Sequence, residues 1–406
     1  MQSVEITSSL LETISFGEPA HSFLARYAKK RGYKNVFLLV SQTLETQTGE
    51  IENFRRSLGT LYAGAWSGMR AHSPREDVLS AAKSAKESGV DLLVTVGGGS
   101  LTDGAKAVCM CLALKIRTAD EMEKYRAPRK LEQALKARMG SLLPLVNVPT
   151  TLSGGEFSGI AGVTDTRLSP PVKQGFSSRY LQPKVVIMDP KLSQHTPEWL
   201  FLSTGMRSID HCVEAICSIK SQPYSTAIAA AALKVLAKAL LEVKENPNDC
   251  LDARSRCQIG VALISPAIQQ VPFGASHGIG HVLGGTANVP HGYTSCINLP
   301  HVLEFNSKDP STNDKMKLVS ECFGRPSVHA AIVMDDYIRR LGLPRSLEQV
   351  GVKVSMHETI AKLSMQDFML KTNPRAITSY TDIMDILKDA QTGVVGRTLV
   401  PKHCRL

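Results

Sequence analysis

Residues Leu92-Leu93-Val94-Thr95-Val96 run directly into Gly97-Gly98-Gly99-Ser100, and few folds accommodate that order. Five consecutive apolar or β-branched residues suit a strand buried on both faces. Three glycines suit a tight turn where the backbone must come close to something else. Leu101 to Ala107 then continues with helical character. Strand, tight turn and helix in immediate succession form the unit of an α/β layer. Asn35–Val40, Leu143–Val148 and Lys184–Met188 are further strand-like runs, and Asp77–Ser88 places Val78, Ala81, Ala82 and Ala85 on one helical face. Strands separated by helices predict a parallel sheet. Beyond Asp189-Pro190 strand signals fade, and Pro197–Ile219, Ser225–Glu245 and Ala253–Gln270 have the length and spacing of helices. A chain of 406 residues also exceeds what one core usually organises. The expected organisation is an α/β domain with a parallel sheet over residues 1–190 and an all-helical domain over 191–406.

Composition narrows the functional classes. An apolar content of 43% is enough to offset the ordering entropy of folding, which excludes a disordered chain. The most apolar stretch, Ala227–Val243, is interrupted by Lys234 and Lys238, so no membrane span is expected. The 47 Lys and Arg against 37 Asp and Glu give a net charge of +10. These cations are scattered among acids, and only 5% of residues are aromatic, so nucleic acid is not the expected partner. The surplus suits small anionic ligands instead. Nine cysteines without a Cys-x-x-Cys pair indicate reduced, buried thiols. With no basic region leading into an apolar core at the N-terminus, a cytoplasmic location is expected. The terminal Cys404-Arg405-Leu406 loosely resembles a peroxisomal address and supplies the alternative.

The triglycine turn is also a candidate ligand site. Without a Cβ at Gly97, Gly98 and Gly99, a pyrophosphate can approach the backbone and the N–H groups of the helix that opens with Ser100 and Asp103. The spacing is neither G-x-G-x-x-G nor a Walker A loop, and a plain strand-to-helix turn would look the same. A second loop, Val148-Pro149-Thr150-Thr151-Leu152-Ser153-Gly154-Gly155, also follows a strand, and its hydroxyls suit ribose or nicotinamide. Two such loops at strand C-terminal ends favour a nucleotide. Ser41 follows the Asn35–Val40 run where an acid would select NAD, so NADP is allowed as well as NAD.

Four of the 11 histidines fall between residues 277 and 301. His277 and His281 are four apart, on one face of a helix, in a glycine-rich segment that permits close approach. His291 lies on a Pro290/Gly292 turn from which it could converge with them, and His211 sits in a helical segment with Asp210 and Glu214. The cluster suits a divalent metal such as iron or zinc. His301, before Val302-Leu303, is expected to pack in the core.

Taken together, Phe16-Gly17, Gly97-Gly98-Gly99-Ser100, Pro149-Thr150-Thr151, Asp189-Pro190, His211-Cys212-Val213-Glu214-Ala215, His277-x3-His281-x9-His291 and Thr372-Asn373-Pro374-Arg375 resemble the iron-containing (group III) alcohol dehydrogenase family, which includes the maleylacetate reductases. The resemblance covers nearly the whole chain. It implies that residues 1–190 form the dinucleotide-binding domain and 191–406 the substrate or metal domain, with reversible hydride transfer between NAD(P) and an alcohol or carbonyl, and it leaves room for a homodimer. In metal-dependent members an Asp, a His four residues later and two further His hold the ion. The matching positions are Arg207, His211, His277 and His291. Asp210 does not take the lost position, because three residues along a helix turn it about 60° away. Maleylacetate reductases carry Asn there and work without metal, and the segments His281–Thr286 and Leu251–Ser255 look closer to theirs.

A guanidinium would repel a divalent cation. The expectation is therefore a metal-independent reductase of a carbonyl or keto acid. Arg207 would bind the substrate carboxylate or polarise the carbonyl, and His281 would donate the proton. A structural ion pair of Arg207 with Asp210 or Glu214 is the alternative role. The competing functions are a metal-dependent dehydrogenase using His211, His277 and His291, a non-catalytic nucleotide-binding relative, and a dehydroquinate-synthase-like lyase.

Overall fold

The computed structural model describes residues 9–169 and 171–396. The chain forms two compact units that meet in sequence at Pro197 and Glu198.

The first unit is built on a six-stranded sheet. Its strands are β1 (Thr13–Phe16), β2 (Val36–Val40), β3 (Tyr62–Ser67), β4 (Leu92–Gly97), β5 (Leu145–Pro149) and, after the antiparallel pair β6 (Ile160–Asp165) and β7 (Val172–Ser177), β8 (Val185–Met188). The order is β1-β8-β5-β4-β2-β3, and every pairing is parallel. Alternation explains why the central strands are apolar throughout. Phe37 and Leu39 of β2 point into a core with Val78, Ala81 and Val108, while Val36, Leu38 and Val40 point into another with Leu24, Ile51 and Phe54. Both faces are covered by helices, as a parallel sheet requires.

Strands β1 and β3, both at sheet edges, and the β6–β7 pair lack continuous apolar runs. Tyr62–Ser67 contains Gly64, where a Cβ would press the Phe37 ring at 3.1 Å. Ile160–Asp165 alternates exposed or half-buried with buried positions and shows too few bulky residues to announce itself.

The second unit is helical, with Glu198–Cys217, Pro223–Glu245, Leu251–Ile268, Ala275–Ala287, His291–Asn306 and Ala330–Leu341 among its longer helices. The first three lie within a few residues of the expected segments. His291 departs from expectation: it is the first residue of a 16-residue helix rather than part of an open turn. Pro290 precedes that helix with φ −54°, a value compatible with helix entry. His301 is buried within the same helix, and burial pushes its imidazole down to about 4. The eight cysteines among the described residues are all free and buried. No helix among the described residues is long and apolar enough to cross a membrane. Cys404-Arg405-Leu406 lies outside the described residues.

Candidate functional site

The cofactor candidates converge at the C-terminal ends of adjacent strands. Val40 pairs with Val96, and Gly97 pairs with Pro149. Just past those ends, Ser41 N–H donates to Val96 O at 2.9 Å and Thr150 N–H donates to Gly97 O at 3.0 Å. Ser41, Gly97 and Thr150 therefore lie side by side where β2 and β4 diverge to opposite connections, the usual ligand position in such sheets. Gly97 has φ +156°, and a Cβ there would meet Leu101 Cδ1 at 2.4 Å and Ser41 Cβ at 3.2 Å. Gly98 caps the Gly99–Leu114 helix, and a Cβ on it would stand 3.3 Å from Thr151 Cγ2. Thr151 Oγ1 is buried and has no hydrogen-bond partner among the described residues. That hydroxyl is a polar group without a protein partner beside the glycine turn.

Two other candidates are engaged within the protein. Ser100 Oγ accepts His72 N–H at 3.1 Å, and Ser100 O accepts the Ser73 hydroxyl at 2.7 Å. His72 and Ser73 both have positive φ, 64° and 52°, a costly pair of conformations held against the glycine turn. Asp103 forms an ion pair with Lys173 at 3.4 Å. Nothing in local sequence around residues 72 or 173 connects them with residues 100 and 103.

A buried pair underlies the second loop. Lys106 is fully buried, and its Nζ donates to Gly155 O at 2.6 Å and Ile160 O at 2.8 Å. Glu156 is also buried, its Oε1 has no partner among the described residues, and burial pushes the carboxyl up to about 7. The unfolded carboxyl loses its proton near 4.5, so between these values the folded state binds the extra proton and loses stability as pH rises. Glu156→Gln should abolish this loss, which is of order 1–3 kcal/mol. Urea unfolding of both proteins at about pH 5 and about pH 8 measures it, and parallel pH dependences would refute the assignment.

In the helical unit, Arg207, Asp210, His211 and Glu214 project from the Glu198–Cys217 helix, and His277 and His281 from Ala275–Ala287. Glycines let neighbours approach the latter helix. A Cβ at Gly278 would strike Leu370 Cδ1 at 2.2 Å, one at Gly280 would meet Thr294 Oγ1 at 2.8 Å, and one at Gly284 would press the His291 ring at 3.0 Å.

Glu214 organises the centre. Its Oε1 accepts Ser276 N–H at 2.7 Å, and its Oε2 accepts Gly274 N–H at 2.9 Å and shares a 2.7 Å hydrogen bond with His277 Nδ1. Asp210 Oδ2 accepts the Ser276 hydroxyl at 2.8 Å and lies 3.4 Å from His277 Nδ1. Burial raises both carboxyls well above their ordinary range; Asp210 raises Glu214 further, and Arg207 pulls both back. Asp210 thus joins His277 although its helical angle takes it away from the Arg207 position. Arg207 Nη1 donates to Ser295 Oγ at 3.2 Å rather than to Asp210 or Glu214, and burial lowers its pKa against their attraction. Burial, reinforced by Arg207, also lowers His211 and His277 far below the ordinary imidazole value, keeping both neutral.

The expected trio of ligands is not what the geometry gathers most closely. Among the described residues, the group with three possible ligand atoms within 4.8 Å of one another is Asp210, Glu214 and His277, not His211, His277 and His291. The Phe273 ring stacks on His211 at 4.8 Å and on His277 at 4.1 Å, and the two imidazoles are 4.9 Å apart. His211 Nδ1 and His277 Nε2 have no hydrogen-bond partner among the described residues. His281 separates from this buried group: it is partly exposed, and its Nδ1 is 2.8 Å from Asp367 Oδ2.

Residues 12–190 match the family model for iron-containing alcohol dehydrogenase, and residues 201–391 match the C-terminal model of the same family. Dehydrogenase FUM7 of Gibberella moniliformis is 32% identical over 394 residues, covering 89% of this chain and 92% of the relative. Maleylacetate reductase of Pseudomonas sp. is 28% identical, with 92% and 96% covered. The crystal structure of maleylacetate reductase from Agrobacterium tumefaciens superposes with a TM-score of 0.80 at 25% identity, covering 97% of this chain and 99% of that one. The chain therefore belongs to the iron-containing alcohol dehydrogenase family and is an oxidoreductase.

Proposed function

We propose that the protein is an NAD(P)-dependent reductase of a carbonyl or keto acid, reversible as an alcohol dehydrogenase, that works without a metal ion. The observation that carries this reading is Arg207, a cation on the helix that holds Asp210, His211 and Glu214. Several of the donors around it are already engaged within the protein. Glu214 already receives two backbone N–H groups and His277, and Phe273 is stacked on both imidazoles.

A nicotinamide cofactor, when bound, supplies or accepts the hydride. Gly97, Gly98 and Gly99 would let its pyrophosphate approach the backbone, with Ser41, Thr150 and the unpartnered Thr151 hydroxyl beside them. Ser41, a neutral residue, leaves space for a 2′-phosphate. Ser100 and Asp103 would shape this site through His72, Ser73 and Lys173. Arg207 would hold a substrate carboxylate or stabilise the oxyanion as charge develops on the carbonyl oxygen. His281 would give that oxygen its proton.

The unpartnered His211 Nδ1 and His277 Nε2 favour a second reading, a metal-dependent dehydrogenase with His211, His277 and His291 as ligands. Metal analysis of the purified protein, with NADH and NADPH oxidation assayed over aldehydes, ketones and keto acids, separates the two. Keto-acid turnover unaffected by chelator is expected. Stoichiometric iron or zinc, with activity lost to a chelator, would establish the second reading instead. Cofactor binding without turnover of any carbonyl would refute both.

A further inference from the structure

The Thr372-Asn373-Pro374-Arg375 motif has no part in the reaction proposed above, yet it is tied firmly to the helix that carries His277 and His281. Asn373 Oδ1 accepts Ala275 N–H at 3.2 Å, and its Nδ2 donates to Asn306 Oδ1 at 2.6 Å and Arg375 O at 2.7 Å. The Thr372 hydroxyl donates to Phe273 O. Arg375 donates to Phe305 O at 3.0 Å and lies 3.8 Å from the centre of the Phe305 ring. Upstream, Leu370 occupies the space left by the missing Cβ of Gly278. The whole 367–375 segment is thus strapped across the Ala275–Ala287 helix.

Asp367 stands at the head of this strap. Its Oδ1 accepts Met369 N–H at 2.9 Å, capping the short turn Phe368–Thr372, and its Oδ2 meets His281 Nδ1 at 2.8 Å. A side chain fixed by its own cap and by a segment clamped at Asn373 has little freedom to leave the imidazole. The His281 side chain keeps 38% of its surface exposed, whereas that of Asp367 keeps 14%. The carboxylate is the sheltered member of the pair and the imidazole the accessible one.

We propose that Asp367 is a positioning residue for His281, holding the Nδ1–H tautomer so that Nε2 carries the exchanged proton. This rests on the carbonyl-reductase reading above. In the reduction, the carbonyl carbon gains the hydride and its oxygen takes the Nε2 proton of the imidazolium. His281 is left neutral with its Nδ1–H still bonded to Asp367, and solvent water returns the proton to Nε2. In the oxidative direction the same nitrogen accepts the proton. The carboxylate serves through orientation and tautomer choice and exchanges no proton itself.

Asp367→Ser separates this role from a structural one, because serine still caps a helical turn but is too short to reach His281. Two readouts are taken on the full-length protein. In uniformly 15N-histidine-labelled protein, with His281 assigned by difference against His281→Gln, the wild type should show the neutral Nδ1–H form, and Asp367→Ser should shift it toward Nε2–H. With a turned-over carbonyl, kcat should fall about 10- to 100-fold with KM little changed, and Asp367→Glu should recover part of the loss. An Nε2–H tautomer in the wild type, or kcat unaltered in Asp367→Ser, would overturn the proposal. If no carbonyl is turned over, the functional reading fails, and the tautomer alone still decides whether Asp367 sets the state of His281.

Discussion

Arg207→Met should lower keto-acid turnover by about 100- to 1000-fold, the range typical of removing one donor that stabilises a developing oxyanion, with cofactor affinity unchanged. The expectation follows from where the guanidinium stands. It is partly buried, donates to Ser295 at 3.2 Å and makes no hydrogen bond to Asp210 or Glu214. Its remaining donors are therefore available to an anionic ligand in bidentate geometry. Arg207→Lys keeps the charge but loses the planar fork and should recover only part of the rate. Arg207→Asp reverses the charge and supplies the residue type that metal-dependent relatives use, so it should lose keto-acid turnover and gain bound metal. Steady-state kinetics with metal analysis on the three variants measures both effects. Full turnover in metal-free Arg207→Met would exclude a role for this side chain in the reaction.

Lys106→Met should destabilise the α/β unit by about 1–3 kcal/mol or more, the usual cost of leaving buried acceptors without a donor. Lys106 Nζ donates to Gly155 O and Ile160 O and lies 3.4 Å from Ser158 Oγ, so the variant leaves buried carbonyls without a donor. Those acceptors belong to the segment that continues from Thr150 and Thr151. Loosening them should also weaken cofactor binding. The chain has two tryptophans, Trp66 in the α/β unit and Trp199 in the helical one. Urea unfolding followed through Trp66 in a Trp199→Phe background therefore reads the affected unit alone. A loss below about 1 kcal/mol would show that water replaces the lysine at little cost.

The parts of the molecule legible in the sequence are those whose physics is local. The runs Val36–Val40 and Leu92–Val96 are apolar at every position because helices cover both faces of the sheet, and continuous hydrophobicity survives any register. The glycine turn was visible because three adjacent residues without Cβ atoms have few other uses. Strands β6 and β7 carry no such signal because only alternate positions are buried, and those positions include alanine and glutamine. The sequence placed His281 on the right helix but could not supply Asp367, which lies 86 residues away and reaches it only through the strap. Arg207 was identifiable from its departure from a motif. Its bond to Ser295, rather than to the two acids on its own helix, depends on how the Glu198–Cys217 and His291–Asn306 helices pack.

The buried cysteines make the two units separately traceable in one experiment. Thiolates are the form that reacts with alkylating agents, and a sulfur enclosed in the core becomes available only when its surroundings open. Cys109 and Cys111 lie in the α/β unit, whereas Cys212, Cys217, Cys250, Cys257, Cys296 and Cys322 lie in the helical one. Pulse alkylation during unfolding, resolved by peptide mass spectrometry, would time-stamp the opening of each unit without any engineered probe.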